Sequence, residues 1–64
     1  MELRKKLIVD SHFTAYDDDG QPRLIKVNEI FVYPAIDGVV KIEVDRFEFK
    51  VRQDVLEAHT HVPA

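Results

Sequence analysis

The stretch from Ile30 to Val44, IFVYPAIDGVVKIEV, decides the fold of this chain. Two apolar runs flank Asp37-Gly38, and Asp-Gly between such runs is the strongest short-range signal for a β-hairpin. A two-residue type I′ turn needs positive φ at both central residues, which glycine adopts freely and aspartate tolerates better than most residues. The stretch therefore predicts two antiparallel strands joined at this turn.

The same turn predicts which side chains the hairpin buries. Strand side chains alternate, so a two-residue loop places six mostly apolar side chains on one face. This predicted core face consists of Phe31, Tyr33, Ala35, Val40, Ile42 and Val44. Pro34 has no N–H for the ladder, so a wider loop over residues 35–38 is an alternative that leaves the faces unchanged. A three-residue loop would set Phe31 against Glu43 and is disfavoured.

The residues before this hairpin also alternate between apolar and polar side chains. Residues 3–16 have the period of two that is typical of a half-buried strand. Residues 17–22 form a turn cluster, and residues 23–33 resume the alternation with a candidate bulge or break at Asn28-Glu29. Residues 1–33 thus predict a second hairpin that leads into the first.

The run from Val39 to Arg52 changes the parity of its apolar positions at Asp45-Arg46. Fully extended, it would span roughly 46 Å, whereas a domain of this size has a radius of gyration of about 11 Å. The chain must therefore turn or bend at Asp45-Arg46. A bulge is the first choice, because no glycine is present for a tight primed turn, and the turn stays open as the alternative.

The C-terminal residues predict a short helix and a tail. Asp54 and Glu57 have the spacing of a capping box, which predicts about one helical turn. Residues 59–64 predict a flexible tail. The fold class is therefore mainly β, in one domain over residues 1–64. We expect a small antiparallel meander of four to five strands, as a curled sheet or an SH3-like barrel, with a short C-terminal helical turn; a flat sheet that dimerises is the alternative.

Composition limits the class of protein. Hydrophobic residues make up 45% and charged residues 33%, which is typical of a globular domain and not of a disordered one. The net charge of −3 argues against broad nucleic-acid binding. The first apolar run stops at Asp10, too short for a signal peptide or a membrane span. We therefore expect a cytoplasmic chain without membrane contact.

Metal sites and cofactors are not expected. Counted from Asp17, an EF-hand loop would need glycine at position six and glutamate at position twelve, and Pro22 and Asn28 stand there instead. His59 and His61 could seat zinc with a further ligand, but tail histidines without cysteine are more often exposed. An enzyme is not expected either, since Ser11 and its neighbouring histidine would point to opposite faces of one strand.

Two modes of binding are open. The first is a non-enzymatic binding or regulatory module that acts through protein–protein contact, as a monomer or a homodimer. Its size and acidity are also those of inhibitor and accessory proteins from phages and mobile elements. An apolar patch on the predicted outer face or a strand edge would make the contact, and the acidic loop would steer a basic partner. The proposed contact residues are Val32, Ile36, Val39, Asp17, Asp18 and Asp19.

The alternative is a small barrel that binds nucleic acid through a basic stripe. The candidate cations are Arg4, Lys5, Lys6, Arg46, Lys50 and Arg52. Base stacking needs aromatic side chains on the same exposed face as the cations. Phe47 and Phe49 alternate to the predicted core, so Tyr16 and Tyr33 are the aromatic residues that could serve.

Overall fold

The computed structural model describes residues 3–64; Met1 and Glu2, which the sequence includes in the single domain, lie outside the described residues. Residues 3–64 form one antiparallel sheet of seven strands and one short helix. The elements are β1 (Lys5–Val9), β2 (Phe13–Tyr16), β3 (Pro22–Ile25), β4 (Glu29–Val32), β5 (Val39–Val44), β6 (Phe47–Arg52), α1 (Gln53–His59) and β7 (Thr60–His61). Their order across the sheet is β3-β2-β6-β5-β4-β1-β7, and the sheet is not closed into a barrel.

The predicted fold class is confirmed: the chain is mainly β and antiparallel, with a short C-terminal helix. There are seven strands instead of four to five. One reason is a bend at Asp10-Ser11, which divides residues 3–16 into β1 and β2. These two strands lie far apart in the sheet, and β2 joins β6 at the single pair Tyr16–Lys50.

The turn at Asp37-Gly38 is confirmed, but beyond it the pairing of β4 with β5 is shifted by one residue from the predicted register. Ile36 and Val39 exchange backbone hydrogen bonds of 2.9 and 3.0 Å across the turn, where φ is 54° and 77°. Further along, the Tyr33 N–H donates to the Lys41 carbonyl at 3.0 Å, and Phe31 lies opposite Glu43.

This shift is a β-bulge, because two residues of one strand stand opposite one residue of the other. Pro34 and Ala35 both fall opposite Val40. In the predicted pairing, Pro34 would have faced Lys41 without an N–H to donate. The bulge instead presents the Tyr33 N–H to the Lys41 carbonyl, so the ladder keeps that hydrogen bond.

The bulge exchanges the two faces of β4. Ile30 and Val32 are buried in the core, at 2% and 8% exposure, while Phe31 faces outward at 37%. The predicted burial of Phe31 is therefore wrong. Phe31 also pairs with Glu43, a pairing that the sequence pattern disfavoured. Val40 and Ile42 of β5 are buried as predicted.

A tight turn also reverses the chain at Asp45-Arg46. Their φ angles are 50° and 73°, and β5 pairs with β6 from Val44–Phe47 to Val39–Arg52. The reversal is confirmed, but the bulge that was the first choice is wrong. Two residues other than glycine adopt positive φ here because the six-pair ladder between β5 and β6, the longest in the sheet, holds the turn.

The inner face of the sheet carries the core, and α1 packs against it. Side chains from β2 and β3 at one side and from β4 at the other join one cluster, so the sheet curves around it. Its buried members are Phe13, Ala15, Ile25, Ile30, Val32, Val40, Ile42, Val51 and Leu56.

The helix begins without the predicted capping box. Arg52 occupies the N-cap position with no side-chain cap bond, and the Asp54 carboxylate instead accepts a 2.6 Å hydrogen bond from the Arg52 guanidinium. At its other end, Thr60 is buried and its hydroxyl donates to the Leu56 carbonyl at 2.7 Å. Residues 60 and 61, expected in the tail, form β7 alongside β1.

Within residues 3–64, no helix has the length and apolar character that crossing a lipid bilayer requires.

Candidate functional site

The edge of β1 is covered along only part of its length. β7 pairs with Ile8 and Val9 and extends no further. The Val9 N–H donates to Asn28 on the β4 side at 2.8 Å, and the Asp10 N–H donates to His59 on the β7 side at 2.7 Å. Backbone groups alternate sides along an antiparallel strand, so those of Lys6 point to the β7 side. No strand of the described chain lies beside them there.

An apolar groove of about 440 Å³ lies next to this uncovered edge, between β1 and α1. The core residues Val32 and Leu56 contribute to its lining. Leu3 and Val62 flank it and are 62% and 69% exposed, and Leu7 is half-buried beside them. The other lining residues are Lys5, Tyr33, Pro34, Ala35, Gln53, Glu57, Thr60 and His61.

The chain's own C-terminal segment does not fill the uncovered edge. If the register of β7 continued, Val62 would fall opposite Leu7 and Pro63 opposite Lys6. Pro63 has no N–H to donate to the Lys6 carbonyl, so it cannot complete that pair. The strand ends at His61. The backbone groups of Lys6 therefore stay available to another strand.

Three successive cations mark this end of β1. The Lys6 Nζ lies 3.1 Å from the Glu29 carboxylate, and Arg4 pairs with Glu43 while its guanidinium lies 4.5 Å from the centre of the Phe31 ring. Lys5 is exposed at the rim of the groove and has no ion-pair partner within residues 3–64. The three cations are thus confined to this end of the sheet edge, while Glu57 contributes a carboxylate to the groove lining.

The apolar patch predicted from the sequence is not formed. Val32 belongs to the core, because the bulge turned it inward. Ile36 and Val39 remain exposed, at 73% and 41%, on either side of the Asp37-Gly38 turn.

The acidic loop lies at the opposite end of the sheet from those two residues. Asp17, Asp18 and Asp19 line a cleft together with Arg46 and Phe47, beside the Asp45-Arg46 turn. The predicted contact residues are therefore not brought together on one surface.

Asp17 has a structural partner in its own loop. Its carboxylate accepts hydrogen bonds from the Gln21 and Asp19 N–H groups at 2.9 and 3.0 Å and from the Arg23 Nε at 3.1 Å. The backbone hydrogen bond from Gln21 is the largest cause that lowers the pKa of Asp17, and Arg23 adds to it. Asp17 closes the loop, whereas Asp18 and Asp19 are exposed.

The cations of the alternative hypothesis are spread over several surfaces. Lys50 lies in a row that crosses the outer face, since it pairs with Tyr16 on one side and with Lys41 on the other. Tyr33 continues the row, with its ring centre 4.8 Å from the Lys41 Nζ. We call these four residues the outer row. Of the other candidates, Lys6 and Arg52 lie on the outer face by register, and Arg4 reaches this face over the Phe31 ring. Lys5 is on the inner face and Arg46 is in the turn.

Carboxylates partly neutralise the outer face. Glu48 lies 3.7 Å from the Lys41 Nζ, and Glu29 and Glu43 pair with cations of β1. The outer row therefore combines the exposed ring of Tyr16 and the half-buried ring of Tyr33 with two lysines, but it does so beside acidic residues.

The histidines contact neighbours in the fold. The Nδ1 of His59 lies 2.8 Å from the Val55 carbonyl, and the Nδ1 of His61 lies 2.6 Å from the Asp10 carboxylate. No group of three metal-ligating side chains occurs among residues 3–64.

The sequence predicted a strand edge as one possible contact surface, but it did not indicate that this edge is β1 or that a groove lies beside it. The sequence signal that could have indicated it is Pro63, which follows a short strand and prevents its continuation. Comparisons with protein-family models, with curated proteins and with solved structures found no match for this chain.

Proposed function

We propose that the chain is a non-enzymatic cytoplasmic binding module that acts through protein–protein contact at the uncovered end of β1. The observation that carries the proposal is the apolar groove beside the backbone groups of Lys6, with which no strand of residues 3–64 pairs. We call this combination the β1 edge site: the N–H and C=O of Lys6, with the groove flanked by Leu3, Leu7, Leu56 and Val62.

The β1 edge site has both parts that recognition by strand addition needs. An added strand gains affinity from main-chain hydrogen bonds, and a pocket for alternate side chains gives specificity. Lys6 supplies the first part and the groove supplies the second. Exposed leucine and valine beside the groove would also be removed from water by an added strand, which favours association.

A different protein is a better occupant than a second copy of this chain. Two β1 strands paired about a twofold axis would bring Arg4, Lys5 and Lys6 of both copies together. Like charges on directly opposite residues destabilise a strand pair. We therefore propose a monomer that binds another protein, and light scattering that shows a stable dimer would contradict this part of the proposal.

Lys6→Pro is expected to weaken strand addition far more than Lys6→Ala does. Proline removes the N–H that points to the uncovered edge, so no hydrogen bond to β4 is lost, and edge strands tolerate proline at such positions. Peptides selected from a random displayed library against the full chain provide the probe. We expect their affinity for Lys6→Pro to be about tenfold below that for Lys6→Ala, as for the loss of one well-formed hydrogen bond.

Two controls accompany this comparison. Circular dichroism shows whether Lys6→Pro retains the β signal of the parent. Lys50→Ala, in the outer row and away from the edge, should leave the affinity unchanged. Peptides that bind Lys6→Pro and Lys6→Ala equally well would refute strand addition at this site.

A second candidate function is binding of single-stranded nucleic acid on the outer face. The outer row favours it, because its aromatic rings and lysines share one exposed face, as stacking on bases requires. Tyr16→Ala should then weaken binding of a fluorescent oligothymidylate, and binding should fall steeply with salt. The matched control is Lys26→Ala, an exposed lysine outside the outer row. Oligonucleotide binding that is absent at low salt would remove this candidate.

A further inference from the structure

We infer that the strand recognised at the β1 edge site is acidic, with carboxylates and apolar side chains at alternate positions. This inference rests on the proposed function and specifies its partner. It follows from the different character of the two faces that an added strand would meet along β1.

On the inner face, the added strand meets the groove. Lys5 and Leu7 share this face, because alternate residues of a strand point to the same side. Leu3 precedes the strand and lines the same groove. A residue opposite Lys5 would therefore lie between two leucines and beside Leu56 and Val62, which also line the groove. These neighbours fit an aliphatic side chain at this position.

On the outer face, the added strand meets cations. The residue opposite Lys6 would lie next to an ammonium group, and an added strand that extends past the start of β1 would also reach the Arg4 guanidinium, which lies over the outward Phe31 ring. Glu29 of β4 and Glu43 of β5 pair with these two groups from one side of β1, and the added strand would approach from the other side. Opposite charges on facing residues stabilise a strand pair and like charges destabilise it. Acidic residues therefore fit the outer positions, and basic residues do not.

The pattern that satisfies both faces is acidic–apolar–acidic, opposite Lys6, Lys5 and Arg4 in that order. An added strand of this kind places its apolar residue in the groove and its carboxylates on the outer face. Complementary charge would also raise the rate of association and make binding sensitive to salt.

Three synthetic peptides test this inference on the full chain. The first has the core Glu-Val-Glu-Val-Glu, the second has Lys-Val-Lys-Val-Lys, and the third has the composition of the first without alternation, Val-Val-Glu-Glu-Glu. Fluorescence anisotropy gives the affinities, and backbone amide shifts in NMR spectra locate the binding. We expect the first peptide to bind at least about tenfold more tightly than the others and to shift the amides of Lys5, Lys6 and Leu7.

Charge reversal on the protein gives the complementary test. The double variant Arg4→Glu and Lys6→Glu should prefer the lysine peptide, because it reverses the charge on the outer face and changes no residue that lines the groove. An unchanged preference in a folded double variant would overturn the inference.

The remaining outcomes separate this inference from the proposed function. If the glutamate and lysine peptides bind equally and Lys6→Pro weakens both, the edge binds strands but the acidic partner is wrong. If neither peptide binds, the acidic partner is also wrong, and the library selection alone decides the proposed function. If the glutamate peptide shifts amides elsewhere and binds Lys6→Pro as tightly as the parent chain, both the inference and the proposed function are overturned.

Discussion

Val32→Asp is expected to abolish folding of the domain. Val32 is 8% exposed, lies opposite Ile42 and belongs to the core cluster. A carboxylate at this position would lose its hydration without a positively charged partner in the core, which costs several kcal/mol. A single core of this size rarely supplies more than about 3–5 kcal/mol. Circular dichroism should therefore show no cooperative thermal transition.

Ile36→Asp is the matched control for this prediction. It introduces the same charge on the same hairpin, at a side chain that is 73% exposed. We expect the variant to melt close to the parent. If Val32→Asp also melts like the parent, the bulge at Pro34-Ala35 does not exist in solution and Val32 lies on the surface.

Ile42→Ala is expected to remove most of the stability of the domain. Ile42 is fully buried, at 0% exposure, in the centre of the sheet between Val32 and Phe49. Shortening a buried isoleucine to alanine costs about 2–5 kcal/mol, through lost burial and the cavity that remains. Urea denaturation at low temperature, where the variant retains some folded population, gives the free energy of unfolding for comparison with the parent.

Phe31→Ala serves as the contrast because it removes a larger side chain from the neighbouring strand. Phe31 is 37% exposed and lies under the Arg4 guanidinium on the outer face. Its loss should cost clearly less than the loss of Ile42, although the sequence pattern alone predicted Phe31 in the core. A larger loss of stability for Phe31→Ala than for Ile42→Ala would contradict the observed register.

The alternation of side chains was sufficient to predict most of the sheet. It predicted the antiparallel strands, the Asp37-Gly38 turn and the inward side chains Val40, Ile42 and Val51, which are buried. It was wrong for Phe47, which is 68% exposed at the start of β6. It could predict the buried side chains because β5 and β6 have apolar residues at one parity and charged residues at the other. In such strands, a shift by one residue would bury charges.

The face of β4 could not be predicted in this way. Residues 30–33 are apolar at both parities, so the pattern of hydrophobicity gives no preference between the two registers. The missing N–H of Pro34 accounts for the observed register, because a one-residue bulge preserves a hydrogen bond to the Lys41 carbonyl that the predicted pairing lacks. This backbone effect moved Phe31 outward and Val32 inward, and it removed the predicted contact patch.

The β1 edge site depends on which strands are neighbours, and alternation carries no information about that. β1 lies between β4 and β7, whose residues are more than twenty and more than fifty positions away in the chain. Only this long-range order shows that no strand of residues 3–64 lies beside Lys6 on one side. The basic residues from Arg4 to Lys6 were noted from the sequence, but their place beside a groove was not predictable.

The single pair Tyr16–Lys50 joins the β2–β3 hairpin to the other five strands. Backbone hydrogen bonds therefore contribute little to this junction. The hairpin is attached mainly by the burial of Phe13, Ala15 and Ile25.

Hydrophobic burial weakens on cooling. We therefore expect cooling to detach this hairpin before it separates the strands that longer ladders of hydrogen bonds join. The β2–β3 hairpin and the other five strands are thus two hydrogen-bonded units that a shared hydrophobic core holds together.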